Sequence, residues 1–209
     1  MVGVEALVVI IGYLLGSIPF AYIVGRLIKR IDIRQAGGGN VGALNTMREV
    51  GTAAGLGVLA ADVAKGAVAV LIAQWLGVSL IFVFIAGLTA VLGHNWPVFL
   101  KFRGGMGLAT TMGALLAVAP IEFVISFAIM VVVVLITSNI RLGAGVGLAL
   151  LPLIIWGFGG AGGLIAYSLA LPIFSTLRAI PSIKRDLASA ESKKDLIVDR
   201  KYKPWQKRK

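Results

Sequence analysis

Long apolar runs, separated by short stretches that hold the glycines and most of the charges, dictate what this chain can become. The runs fall at about 5–27, 52–76, 79–96, 106–118, 121–137, 142–158 and 163–177. A lipid-facing backbone must satisfy its own N–H and C=O groups, so each run is expected to be a helix. A straight crossing takes ~20 residues, which 106–118 does not reach, so that run also fits a re-entrant or half-length helix. Only 14% of the residues are charged and 58% are hydrophobic, against about 25% charged in a soluble domain. The pattern predicts an all-α polytopic membrane protein with about seven transmembrane helices.

Charge placement gives the orientation. Lys29, Arg30 and Arg34 follow the first run, Lys101 and Arg103 follow the third, and Arg141 follows the fifth. The opposite segments, near 1–5, 77–78, 119–122 and 159–162, hold no Lys or Arg and carry Glu5 and Glu122. Cations mark the cytoplasmic side, so the N-terminus is expected outside and the C-terminus inside. The first run lacks a cleavage-like end and is expected to stay as a permanent span. Much of the +11 net charge lies from Arg178 onward. That divides the chain into a transmembrane domain over 1–187 and a basic cytoplasmic tail over 188–209. The tail's expected partners are anionic membrane lipids, at about 1 kcal/mol per cation near the surface, and not nucleic acid. Ser182 to Lys194 is read as a short amphipathic helix, and Trp205 as a headgroup contact.

Two polar stretches interrupt the apolar pattern. The first is Gly37-Gly38-Gly39-Asn40-Val41-Gly42-Ala43-Leu44-Asn45-Thr46-Met47-Arg48, and the second runs from Gly93-His94-Asn95-Trp96-Pro97 through Arg103-Gly104-Gly105-Met106-Gly107 to Thr110. Glycines beside cations at a helix start leave backbone N–H groups open to an anion, and a phosphate suits both loops. Arg48, three residues after Asn45, can reach the first loop as a forked anion ligand or simply mark the cytoplasmic side. His94 reads as a hydrogen-bonded loop anchor or as a base. Asp62 and Lys65 share a helical face and can pair. The pair is either a structural brace or part of a site, since an unpaired charge there costs at least ~2.5 kcal/mol.

Other chemistries are excluded. The chain has no Cys and one His, so disulfides, thiolate nucleophiles and a metal-binding histidine cluster are not expected. No nucleotide-binding Gly-x-x-x-x-Gly-Lys-[Ser/Thr] loop and no Gly-x-Ser-x-Gly elbow occurs. An acyltransferase base of the His-x4-Asp type is ruled out because Phe99 stands five residues after His94.

These blocks resemble the integral-membrane acyl-phosphate:glycerol-3-phosphate acyltransferases of bacterial phospholipid synthesis. Gly16-Ser17-Ile18-Pro19-Phe20-Ala21 is similar to that family's first-span motif, and 37–48 to its Gly-Ser-Gly-Asn-x-Gly-Ala-Thr-Asn-x-x-Arg loop. Asp62-Val63-Ala64-Lys65-Gly66 resembles its Asp-x-x-Lys-Gly element, and Gly93 to Thr110 its Gly-His-x-x-Pro-Val-Phe loop ending in Gly-Gly-Lys-Gly. The resemblance covers about 10 to 187. It implies transfer of a fatty acyl group from acyl phosphate to the 1-hydroxyl of glycerol 3-phosphate, giving lysophosphatidic acid at the bacterial inner membrane without cofactor or metal. On this resemblance His94, Arg48 and Asn45 would be the catalytic residues. Asn40, Gly42, Gly104, Gly105, Gly107, Arg103 and Ser182 would contact substrate.

The chain departs from the family pattern at several positions. Gly38 replaces Ser, Leu44 replaces Thr and Met106 replaces the Lys of Gly-Gly-Lys-Gly; in Arg178-Ala179-Ile180-Pro181-Ser182, Ala179 replaces His and Ser182 replaces Asn. One lost charge-stabilising donor can cost on the order of 2.7–4 kcal/mol in a transition state. The alternative to an active enzyme is therefore a non-catalytic or retuned relative that binds glycerol phosphate or lipid. A transporter would need paired Gly/Pro interruptions that the spans lack.

Overall fold

The structure, a computed structural model, describes residues 2–188, apart from the side chains at 2, 182 and 185–188. Ser182 is thus described only as backbone, and the tail beyond Ala188, with Trp205, lies outside the described residues. Every regular element among them is helical. The α-helices are α1 Val2–Ser17, α2 Phe20–Lys29, α3 Ala43–Glu49, α4 Thr52–Trp75, α5 Leu80–Asn95, α6 Leu108–Val118, α7 Pro120–Thr137, α8 Ile140–Gly157 and α9 Gly162–Ala188. Short 3-10 turns occupy Ile33–Gln35 and Val98–Leu100.

Among the described residues, six helical stretches are long and apolar enough to cross a membrane. The seventh expected crossing, α6, has 11 residues and at 1.5 Å per residue extends about 16 Å, half the hydrocarbon thickness. Two local expectations are corrected. The first span is two helices, α1 and α2, because the backbone at Pro19 leaves helical geometry and proline offers no N–H to continue the ladder. The 29–51 segment is not all loop, since it contains α3 packed against α4: a Cβ at Gly55 would strike Met47.

The described residues form two compact units. The first comprises those up to Val118 together with Phe174–Arg178. Its helices touch through backbone. A Cβ at Gly16 would fall on the Ala90 backbone, and one at Gly93 on the Tyr13 carbonyl, so α1 and α5 meet backbone to backbone at these two points. Such close approach lets dispersion forces hold helices together where lipid supplies no hydrophobic drive. Tyr13 donates its hydroxyl hydrogen to the Trp96 carbonyl at 2.7 Å, at the end of that contact. The Arg178 guanidinium lies 5.4 Å over the Trp96 ring, which also meets Phe174 at 6.1 Å. A small apolar core of Ala21, Ile33, Val41, Val50, Val58 and Leu100 sits beneath the loops.

The second unit comprises Ala119–Ile173 and the described residues from Ala179 on. Pro120 opens α7 at a position where a missing N–H costs nothing. Asn139 caps α8 by accepting from the amides of Arg141 and Leu142, both at 3.1 Å. The buried Ser126 hydroxyl donates to the Gly147 carbonyl at 2.9 Å, joining α7 to α8. Its outward residues, such as Val124, Leu135, Ile136, Leu153 and Trp156, are apolar, as a lipid-facing surface requires.

Candidate active site

The first polar loop is built around one amide. Asn45, at the start of α3, is buried; its Oδ1 accepts from the Gly38 N–H at 3.0 Å. Its Nδ2 donates to the carbonyls of Ile33, Ala36 and Asn40 at 3.2, 3.0 and 3.0 Å. A single side chain thus gathers four backbone groups, two of which, the Gly38 N–H and the Asn40 carbonyl, have no backbone partner in the loop. Gly37 turns with φ +55, and a Cβ there would sit 2.6 Å from Asn45 Oδ1. The Thr46 hydroxyl donates to the Gly42 carbonyl at 3.0 Å, closing the helix start. Arg48 follows one turn after Asn45 and is half-buried, as is Asn40.

Asp32 secures the approach to this loop. Its carboxylate accepts from the Arg34 amide and Nε at 3.0 Å and from Arg34 Nη2 at 2.7 Å, and Arg26 Nη2 lies 3.5 Å away. The Arg34 side-chain hydrogen bond holds the Asp32 carboxyl down at about 2, and Asp32 in turn raises the Arg34 guanidinium. The Tyr22 ring lies 5.2 and 5.1 Å from the two guanidinium carbons, beneath both cations.

The second polar loop is built by backbone. After α5 ends at Asn95, the chain makes the 3-10 turn, reverses through Lys101 and Phe102 at φ 54 and 61, and runs back along the helix end. There the Gly104 N–H donates to the Asn95 carbonyl at 3.2 Å, and the Gly105 N–H to the His94 carbonyl at 3.0 Å. The last carbonyls of a helix have no partner within it, and the returning strand of loop supplies one. The expectation that the Gly104 and Gly105 amides stand open to an anion is therefore corrected, because both are committed. What these glycines offer is approach. A Cβ at Gly105 would fall on the His94 Nε2 edge and the Val41 carbonyl, so the two polar loops meet at this point. Gly107, at φ +81, lies against the Asn95 amide.

His94, Asp62 and Lys65 come together beneath that meeting point, all buried. Lys65 Nζ stands 2.8 Å from Asp62 Oδ1, which also lies 3.5 Å from His94 Nδ1. A small pocket reaches this cluster, lined by Ser17, Ile18 and Phe20 at the helix break, by Val41 of the first loop, and by the three ionisable side chains. Arg103 and Lys101 are exposed. Among the described residues, no three His, Asp or Glu side chains gather as a metal would require.

Sequence reasoning missed Asn95 and Thr110. Both are fully buried, and neither the Asn95 amide atoms nor the Thr110 hydroxyl has a hydrogen-bond partner. The signal was available, since a polar side chain that follows His94 inside an apolar run needs a reason to be there.

A family model described as glycerol-3-phosphate acyltransferase matches residues 6–189. Glycerol-3-phosphate acyltransferase 2 of Moorella thermoacetica is 44% identical over 187 residues, covering 90% of this chain and 96% of that one. Glycerol-3-phosphate acyltransferase 1 of Dehalococcoides mccartyi is 40% identical over 201 residues, covering 93% and 97%. Among solved structures, the glycerol 3-phosphate form of PlsY, an integral membrane glycerol 3-phosphate acyltransferase, superposes with a TM-score of 0.81 at 32% identity, covering 90% of this chain and 94% of that one. Its lysophosphatidic acid form gives 0.79. With motifs, helical membrane architecture and near full-length similarity in agreement, the chain belongs to the glycerol-3-phosphate acyltransferase family.

Proposed function

We propose that this protein transfers a fatty acyl group from acyl phosphate to the 1-hydroxyl of glycerol 3-phosphate, releasing lysophosphatidic acid and inorganic phosphate. The observation that carries the reading is near full-length similarity to PlsY in its glycerol 3-phosphate and lysophosphatidic acid forms. The donor arrives activated, so the protein has to align two anions and offset charge developing on the acyl oxygen. Arg48 and Asn40, half-buried on the first loop, bind phosphate together with Gly42, Gly107 and Arg103. Asn45 acts by setting the shape of that loop. Gly104 and Gly105 act by letting the second loop close on His94. A substrate phosphate takes up the hydroxyl proton.

The protein sits in the bacterial inner membrane with its N-terminus outside and its C-terminus in the cytoplasm, as the placement of Lys and Arg supports. The basic tail over 188–209 rests on anionic lipid headgroups, beside a transmembrane domain over 1–187. Acyl transfer by the purified protein in lipid tests the reading. Palmitoyl phosphate and glycerol 3-phosphate are expected to give lysophosphatidic acid, with at least a ~10-fold loss in Arg48→Ala. Absence of product from the wild-type protein would sink it.

A further inference from the structure

The buried pair on α4 does more than neutralise itself. Asp62 and Lys65 are 1% and 5% exposed. Burying two ions costs several kcal/mol each, and an apolar pair of equal volume serves stability as well or better. What distinguishes this pair is its reach. Lys65 Nζ also donates to the carbonyl of Ile18 at 3.0 Å, at the break between α1 and α2 where Pro19 supplies no N–H. The same Asp62 oxygen that holds Lys65 faces His94 Nδ1, and the opposite edge of that ring lies against Gly105. One carboxylate therefore ties the first-span break, the middle of α4, the end of α5 and the glycine loop into one register.

We propose that Asp62 and Lys65 are positioning residues for the reaction, acting through His94. The inference rests on the acyl-transfer reading above. The Asp62 carboxylate, 3.5 Å from Nδ1, favours the tautomer with hydrogen on that nitrogen through its charge, and the ring then sets where Gly105 and the second loop lie. Lys65 holds Asp62 in place from the other side and shares the Ile18 carbonyl with the Phe20 N–H, which pins α4 to the helix break. Small displacements of an aligned pair of substrates are costly, up to ~100-fold in rate for about 1 Å.

The test uses the neutral double variant Asp62→Asn with Lys65→Gln, which leaves no unpaired buried charge. His94 is the only histidine, so labelling histidine with nitrogen-15 gives one imidazole whose two resonances report its tautomer. The expected result is a folded protein whose kcat falls at least ~10-fold while KM for glycerol 3-phosphate changes less than about 3-fold, with altered His94 resonances. Wild-type kcat, or a lowered kcat with unaltered His94 resonances, overturns the proposal. If the double variant does not fold, Lys65→Arg retains the charge pair and is read in the same two ways, with a smaller loss expected. If the wild-type protein itself transfers no acyl group, the acyl-transfer reading falls. The resonances then decide the network alone: unaltered resonances overturn it and altered ones support it.

Discussion

The two polar loops reach order by opposite means. The first, 37–48, depends on a side chain, because Asn45 collects Gly38, Ile33, Ala36 and Asn40 through four hydrogen bonds. The second, 101–107, depends on missing side chains, because Gly104 and Gly105 lie flat against the end of α5 and bond to its last carbonyls. Damage to the first should therefore show as lost hydrogen bonds, and damage to the second as displaced backbone. The first loop is exposed at Gly37 to Gly39, whereas Gly105 and Gly107 are buried. A loop held by one adaptable amide can tolerate substitutions at its rim; one held by close contact cannot.

Substitutions can break or sharpen this contrast. The largest effect is expected for Gly105→Ala, whose Cβ would strike the His94 ring and the Val41 carbonyl. Acyl transfer should fall by about 100-fold or more, measured as kcat with saturating palmitoyl phosphate. Asn45→Ala comes next. It leaves the Gly38 N–H and the Asn40 carbonyl without their partner and takes a second one from the Ile33 and Ala36 carbonyls, and thermal unfolding in detergent should show about 2–4 kcal/mol of destabilisation. A loss below about 0.5 kcal/mol would remove Asn45 from its organising place.

Asp32→Asn gives a smaller, pH-marked effect. The Asp32 carboxyl sits at about 2, below its ordinary 3.8, so its stabilisation is complete above pH 3.8 and is lost as pH falls from 3.8 through 2. The variant should lose about 1 kcal/mol at pH 7 and lack that acid-dependent step, as melting temperature against pH will show. Gly38→Ser should be the mildest. Its φ is not in the left-handed region, and the nearest atom to an added Cβ is Asn45 Oδ1 at 3.9 Å. Stability should change by less than about 0.5 kcal/mol. Restoring the family's hydroxyl there should leave acyl transfer unchanged or raise it.

Hydropathy made the membrane helices legible, because every run long enough to cross is recognisable without knowing its neighbours. It could not show the break at Pro19, which interrupts the backbone of the first span without interrupting its apolar composition. Nor could it show α3, whose seven residues are too few for a periodicity to stand out. Helical spacing alone announced the Asp62 and Lys65 pair. That His94 completes the cluster is a tertiary fact, since it comes from another helix 32 positions on. The glycine-rich pattern of the second loop suggested open amides, but the same pattern also permits the close return seen at Gly104 and Gly105. Only the location of the unpaired carbonyls at the end of α5 decides between these uses.

The seam between α1 and α5 acts as a lever. Gly16 and Gly93 bring backbone onto backbone, so at these points no side chain stands between the helices to absorb a shift, and Tyr13 fastens the far end to Trp96. A bilayer of different thickness asks its helices to change tilt. Any tilt adopted by α1 is passed on to α5, and so to His94, while α2 beyond Pro19 is held by the core that Ala21 enters. The thickness of the host membrane thus becomes a mechanical input to the geometry around His94.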